Sequence, residues 1–299
     1  MKLNKLHLLF VMIFALLMAG CAPANTAITA QDGLGQEVKL ASPAQRIISL
    51  APSNTEILFA IGAGEQVVGR DDFSDFPSGV LDIKSVGGNP YNMEEIVGLK
   101  PDLVLLAEIN TPELAEQLKG LGIATYYVKN PTDFVGLYQN IETLGNLTGH
   151  AAEAKALTKS LAERVDAVNA RLALVKARPI VYYELDASDP AKPWTVGPGT
   201  FIHMLLEQAK AQNFTVVSGV ADAYPQISIE QVVMVDPDFI VLGDAAWGVT
   251  VESVGQRPGW QELSAVTQGK VVPFDDNLVS RPGPRLVDAL EQLAELLHP

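Results

Sequence analysis

Two acidic residues recur in the same local setting. Glu94 lies in Asn92-Met93-Glu94-Glu95-Ile96-Val97-Gly98-Leu99-Lys100-Pro101-Asp102-Leu103-Val104-Leu105-Leu106, and Glu230 in Ser228-Ile229-Glu230-Gln231-Val232-Val233-Met234-Val235-Asp236-Pro237-Asp238-Phe239-Ile240-Val241-Leu242. In each, a helix-capping residue is followed two positions on by the glutamate, then by a short apolar helix, Pro-Asp and a strand. The glutamate-to-proline spacing is seven in both. Asn92 with Glu95 and Ser228 with Gln231 have the form of a capping box. A carboxylate in a first helical turn complements the helix dipole, and that alone explains both acids. The competing explanation is that matched positions in two similar units present matched outward charges to a symmetric partner. Arg281, in Arg281-Pro282-Gly283-Pro284-Arg285, precedes an apolar helical pattern over Leu286–Leu297. A guanidinium there suits two-pronged binding of a carboxylate or phosphate, or an ion pair with one of the 35 acids of the chain.

Other chemistries lack their parts. Ser53 and His203 could be combined with an aspartate into a triad, but no Gly-x-Ser-x-Gly elbow exists. Gly197-Pro198-Gly199 is not followed by the Gly-Lys-Ser/Thr of a phosphate loop. The single cysteine, Cys21, excludes an intramolecular disulfide and a thiolate zinc site. A site for a bare transition metal needs three or four converging ligands. Of the histidines, His7 falls in the leader, His150 opens a helical stretch, His298 is near the end, and His203 is left alone in the second half. A formal charge of −14 supplies no basic face for nucleic acid. Hydrophobic residues at 48% and charged residues at 19% describe a globular chain rather than a disordered one, and 299 residues allow two lobes.

The elements that must position these residues alternate. Asp32-Gly33-Leu34-Gly35 between Ile28-Thr29 and Val38-Lys39-Leu40 predicts a hairpin. Short β-branched runs predict buried strands at Ile47–Leu50, Val67–Gly69, Leu103–Leu106 and Thr125–Val128, and again at Ile180–Tyr183, Phe239–Leu242 and Val271–Val272. Helical segments intervene, among them Glu113–Leu121 and the stretch after Pro52 that ends at Gly62. Strand–helix alternation of this kind argues for parallel sheets in α/β lobes. Thr148–Lys176 stands apart. It contains no proline, and Leu157, Leu161, Val165, Val168, Leu172 and Val175 recur at spacings of three and four. The expected fold class is therefore α/β: two lobes with central sheets, bridged by one long helix.

The amino terminus reads as a leader. Lys2 and Lys5 precede an apolar run, Leu8–Ala19, which is too short to span a bilayer and has the size of a signal-peptide core. It ends in Leu17-Met18-Ala19-Gly20-Cys21, which resembles a bacterial lipobox with Cys21 as the lipidated residue. Ala22–Ala30 is small and polar, as a tether would be. The expected division is a signal peptide over 1–20, a lipid-anchored tether and hairpin over 21–45, an N-terminal lobe over 46–147, the linking helix over 148–176, and a C-terminal lobe over 177–299.

Together, Arg46–Glu56, Asn92–Leu106, Ser228–Leu242 and Ser280–Arg285 resemble the class III periplasmic solute-binding proteins of ABC importers, the group that binds cobalamin, ferric siderophores and haem. The resemblance covers about residues 28–298. It implies two α/β lobes on a rigid backbone helix, and a binding protein rather than an enzyme. It implies that Glu94 and Glu230, one per lobe, pair with arginines of a dimeric permease that carries ATPase subunits. It further implies an aromatic-lined cleft, because a flat macrocycle or catecholate is held by wide polarizable surfaces. Phe73 matches a family loop carrying a cleft aromatic, Tyr224 stands where cobalamin binders carry a tryptophan, and Trp194 matches an aromatic before a helix start. Tyr91 and Trp247 are placed there by loop position, and Arg281 is the candidate for ligand carboxylates or phosphate. Gly87-Gly88-Asn89-Pro90 replaces a tryptophan of cobalamin binders, which tilts the expectation slightly to ferric chelates. The implied protein is a monomer outside the cytoplasm, in the periplasm or on the outer face of the cytoplasmic membrane. It has no cofactor of its own; iron or cobalt arrives inside the ligand. The alternatives are a bare-metal receptor on the same fold, a structural surface lipoprotein and, further off, an extracytoplasmic hydrolase.

Overall fold

The computed structural model describes residues 27–299. The signal peptide and Cys21 lie outside the described residues. The expected hairpin is present as β1 (Ile28–Gln31) and β2 (Glu37–Leu40), antiparallel with Ile28 opposite Leu40. It is pinned to the first lobe where the Gly33 amide donates to the Tyr127 carbonyl at 2.7 Å. A Cβ at Gly33 would sit 2.9 Å from that oxygen, so only glycine permits the approach.

The first lobe is a four-stranded parallel sheet in the order β4-β3-β5-β6, formed by β3 (Ile47–Ser49), β4 (Val67–Arg70), β5 (Leu103–Ala107) and β6 (Thr125–Val128). Every residue of β3, β5 and β6 is buried, as continuous apolar runs in a sheet covered on both faces require. Its helices are α1 (Pro52–Ala60), α2 (Met93–Gly98), α3 (Pro112–Gly120) and α4 (Phe134–Thr148).

Gly149 then takes a left-handed conformation at φ 83° and caps α4. The next helix, α5 (Ala151–Leu172), is the bridge. The sequence pattern predicts this helix over 148–176, and the structure shortens it at both ends. Thr148 belongs to α4, and the chain leaves the helix after Leu172. At 1.5 Å per residue, α5 still runs about 33 Å without a proline.

The second lobe centres on β7 (Ile180–Asp186), β10 (Phe239–Leu242) and β11 (Val271–Pro273), mutually parallel in the order β11-β10-β7. Two short strands were not expected: β8 (Trp194–Thr195), antiparallel to β7, and β9 (Gln212–Asn213), parallel to it. The helices are α6 (Phe201–Gln208), α7 (Phe214–Val217), α8 (Ile229–Val235), α9 (Val251–Gly255), α10 (Ser264–Thr267), α11 (Asp276–Val279) and α12 (Leu286–Leu297), the last with the bounds its sequence pattern predicts.

The two lobes share a core. One cluster of buried residues runs from Ile47, Leu105 and Ile141 in the first lobe, through Leu161, Val165 and Leu172 of α5, to Val181, Leu205 and Leu290 in the second. The solvent side of the α5–α12 contact is closed by Arg164, whose guanidinium donates to Glu291 at 2.8 Å and to Asp288 at 2.5 Å. The second lobe has a further cluster of its own around Tyr182, Phe214 and Trp260, with edge-on ring contacts at 5.4 and 5.9 Å. Inside it lies a buried ion pair. Arg257 donates to both oxygens of Glu184, at 2.7 Å to Oε1, and stacks 4.6 Å above the Trp260 ring.

That pair gives a stability prediction. Arg257→Met leaves the Glu184 carboxylate buried without a partner, and urea unfolding should show a loss of about 3–5 kcal/mol. Converting Glu184 to Leu in the same protein should recover most of it, because a buried pair is often replaceable by apolar groups. Equal stability of Arg257→Met and the parent would contradict the pairing.

Candidate functional site

Between the lobes lies a cleft of about 700 Å3. Its walls are the loops that leave the carboxyl ends of the parallel strands, where open α/β sheets place their binding crevices. The first lobe contributes Pro52 and Ser53 after β3, Phe73 after β4, Glu108 and Ile109 after β5, and Lys129, Asn130 and Thr132 after β6. The second contributes the start of α6, Tyr224, Trp247 after β10, and Asp276, Asn277, Ser280, Arg281 and Pro282 after β11.

Three of the expected aromatics stand on these walls. Phe73 is 59% exposed, Tyr224 44% and Trp247 84%, an exposure of flat apolar surface that folding does not explain. Buried Phe201 adds a fourth ring that sequence reasoning passed over. The other two expected aromatics lie off the wall. Trp194 sits in β8 opposite Asp186 and bridges to Gln226 at the sheet edge. Tyr91 is part of the first lobe's framework: its hydroxyl donates to the Leu50 carbonyl at 3.2 Å and accepts from Asn110 at 2.7 Å. Burial, with Asp71 nearby, pushes its phenol up to about 12.

The segment Ser53-Asn54-Thr55-Glu56, in the first turns of α1, has a structural job at nearly every position. Ser53 faces the cleft. Asn54 donates to the Leu106 carbonyl at 2.9 Å and so fastens α1 to the end of β5. Thr55 bonds to Ser49 at 2.8 Å and to Ser74 at 2.8 Å, and Ser74 is held in turn by Asp71. Burial raises the Asp71 carboxyl above its ordinary range, while the Ser74 bonds oppose that shift.

Glu56 crosses to the other lobe. Its side chain is 2% exposed and receives both prongs of Arg285, at 2.8 and 2.5 Å. Arg281 lies 3.4 Å from the same carboxylate and also bonds to Asp75. The Arg281 hydrogen bond holds the Asp75 carboxyl below its usual range. Arg285 additionally stacks 4.2 Å above Phe76. Of the two roles open to Arg281 in the sequence, the geometry therefore favours the ion pair. Its side chain borders the cleft, but two acids of the opposite lobe engage its guanidinium.

Three residues before Trp247 in the chain, the Asp244 carboxyl is buried and accepts from the Ala187 amide at 2.9 Å. Desolvation and neighbouring Glu184 push its pKa up to about 6. Burial and, from the first lobe, the charge of Glu108 raise the Tyr224 phenol.

Glu94 and Glu230 are exposed, each in the first turn of its helix, α2 in one lobe and α8 in the other. Neither makes an ion pair among the described residues. The expected capping box is complete at Ser228 and Gln231. At Asn92 only half of it forms: the Asn92 side chain accepts from the Glu95 amide, while the Glu95 carboxylate turns to Lys84 at 3.4 Å. Ser53 and His203 make no hydrogen bond to one another among the described residues; the His203 ring meets Asn213 at 3.3 Å. Also among the described residues, no three His, Cys, Asp or Glu side chains gather as a metal site would need, and no helix is long and apolar enough to cross a membrane.

Comparison with known proteins agrees with this architecture. The family described as periplasmic binding protein matches residues 47–278. An ABC transporter substrate-binding lipoprotein of Bacillus subtilis, YvrC, is 31% identical over 97% of this chain and 95% of its own. The vitamin B12-binding protein of Vibrio cholerae is 31% identical over 85% of this chain and 90% of its own. Its crystal structure superposes with a TM-score of 0.73 over 85% of this chain and 97% of that one. A possible iron-binding solute-binding protein from Staphylococcus epidermidis gives 0.75 at 28% identity, over 86% of this chain and all of that one. The chain belongs to the periplasmic binding protein family, in the class III form that serves ABC importers. It is a binding protein and not an enzyme.

The wall assignments lead to a contrast between variants. Tyr224→Ala and Trp247→Ala should each weaken ligand binding by about 1–3 kcal/mol through lost stacking area. Trp194→Ala should leave affinity within about twofold, since its ring stands off the wall, a difference of at most about 0.4 kcal/mol. Calorimetric titration with the ligand decides it. A Trp194 effect larger than that of Trp247 would move the site to the edge of the second sheet.

Proposed function

We propose that this protein is the lipid-anchored capture component of an ABC importer. It takes up a metal chelate, a ferric siderophore or cobalamin, in the inter-lobe cleft and delivers it to a dimeric permease with its ATPase subunits. The observation that carries the reading is the cleft itself. It has exposed aromatic surface from both lobes at the carboxyl ends of two parallel sheets, with a volume suited to a ligand far larger than a metal ion. The bare-metal alternative has no ligand cluster to stand on among the described residues.

Names of relatives point the same way. Vitamin B12 is bound by the Vibrio cholerae protein, and a structure 25% identical to this chain belongs to an Fe3+-hydroxamate transport system of Saccharomonospora viridis, with a TM-score of 0.73 over 91% of this chain and 99% of that one. Cys21 would carry the lipid, and the following small polar residues would tether a monomeric domain outside the cytoplasm. The metal travels in the ligand, so the protein needs no cofactor. Glu94 and Glu230 would dock on permease arginines. Their exposure on equivalent helix starts, one per lobe, suits a partner with twofold symmetry.

Docking and capping separate by experiment. In cells, Glu94→Ala/Glu230→Ala should reduce uptake of the chelate while leaving its affinity for the isolated protein intact, and the gap to the parent should shrink at higher ionic strength, as screening weakens the parent's own charge pairing. Loss of two exposed helix-start carboxylates is too small a change to unfold a domain. Uptake at the parental rate would return both residues to helix capping alone.

A further inference from the structure

We infer that the cleft selects chelates of zero or low net charge and discriminates against polyanionic ones such as tris-catecholates or dicarboxylated porphyrins. The inference rests on the proposed capture function. A polyanion needs cations that are free to meet it, and arginine is the residue best shaped for carboxylate and catecholate oxygens. Two arginines approach the cleft, Arg281 and Arg285, and both are occupied. Their side chains are 12% and 16% exposed, and Glu56 and Asp75 of the opposite lobe balance them charge for charge. Freeing Arg285 would leave the nearly buried Glu56 carboxylate with only the 3.4 Å contact to Arg281, and freeing Arg281 would break its pairing with Asp75.

What remains on the walls is one lysine and two acids. Lys129 has no carboxylate within ion-pair distance among the described residues. Glu108 stands on the same lobe, and Asp276 on the other, where it receives the Tyr183 hydroxyl at 3.3 Å. The walls are thus neutral to slightly acidic, and the overall charge of −14 adds a field of the same sign. The remaining polar groups include Ser53, Asn130, Thr200 and Asn277, neutral donors and acceptors suited to amides and hydroxamates.

Nor do the walls offer the metal a ligand. No histidine lines them. Partial burial and the charge of Glu108 raise the Tyr224 phenol, which works against a tyrosinate bond to ferric iron. The ligand class that fits is a chelate that saturates its own metal and shows the protein an uncharged, amide-rich or hydroxamate-rich exterior.

Tryptophan fluorescence of the full-length, detergent-solubilised protein provides the test, because Trp247 faces the cleft. Three probes are titrated: ferrichrome, a neutral ferric tris-hydroxamate; cyanocobalamin, also neutral overall; and ferric enterobactin, a trianionic tris-catecholate. At least one neutral probe should bind at least about tenfold more tightly than the trianion, the scale of a few unit charges acting across a wet cleft. Raising the salt from about 0.05 to 0.5 M should narrow that ratio, as screening removes the repulsion. Glu108→Lys should narrow it too, in low salt. Tighter binding of the trianion overturns the inference, and so does a ratio that neither salt nor Glu108→Lys moves. If no probe binds, the capture reading itself fails.

Discussion

The buried carboxylate of Glu56 is the constraint on which the arrangement of the molecule depends. It belongs to α1 of the first lobe, yet its partners are Arg285 and Arg281 of the second. A carboxylate that is nearly excluded from water must keep its partners, because separation leaves an unpaired charge in a medium that solvates it poorly. The lobes are therefore joined at two places. On one side the continuous apolar core passes through α5 to α12; beside the cleft, the ion-pair cluster fixes α1 against the segment before α12. A hinge would have to break both, so the cleft is a preformed vessel rather than one assembled around its ligand.

The same pairing sets the chemistry of the vessel. Arginines that could have been aimed at a ligand are used to hold the walls in place, and the surface left facing the cleft is aromatic and nearly neutral. Trp247, Tyr224 and Phe73 come from three separate loops of two lobes. Their meeting at one cleft depends on the lobes being held in register. The register of the lobes and the make-up of the cleft walls are in this way coupled through a single cluster of four charged side chains.

Much of this was legible in the sequence, for identifiable reasons. Strands such as Leu103–Ala107 and Phe239–Leu242 announce themselves because both faces of a parallel sheet are buried and every position must be apolar. The linking helix was visible in its heptad-like spacing, but its start was not. Gly149 sits among strong helix formers, and only its left-handed conformation separates α4 from α5. The repeat around Glu94 and Glu230 was legible because each unit is local. Trp194 was harder to place: β8 is two residues long, too short for any periodicity to reveal its register. The Glu56–Arg285 pair was hidden for a different reason. Its members are 229 residues apart, and nothing local to either tells which opposite charge it will meet. Glu56 gave one hint: it is the one charged residue of α1 and runs directly into the apolar stretch Ile57–Ala60.

The central claim, that the lobes are fixed, is open to a direct distance measurement. Spin labels at Glu113→Cys in α3 and Glu252→Cys in α9 report the separation of the lobes by pulsed electron resonance. The two sites are exposed and lie one in each lobe. A fixed frame predicts one narrow distance distribution, unchanged when a saturating chelate is added. Two populations in the free protein, or a shift of several ångströms on binding, would show that the lobes hinge and that the Glu56 cluster does not hold them.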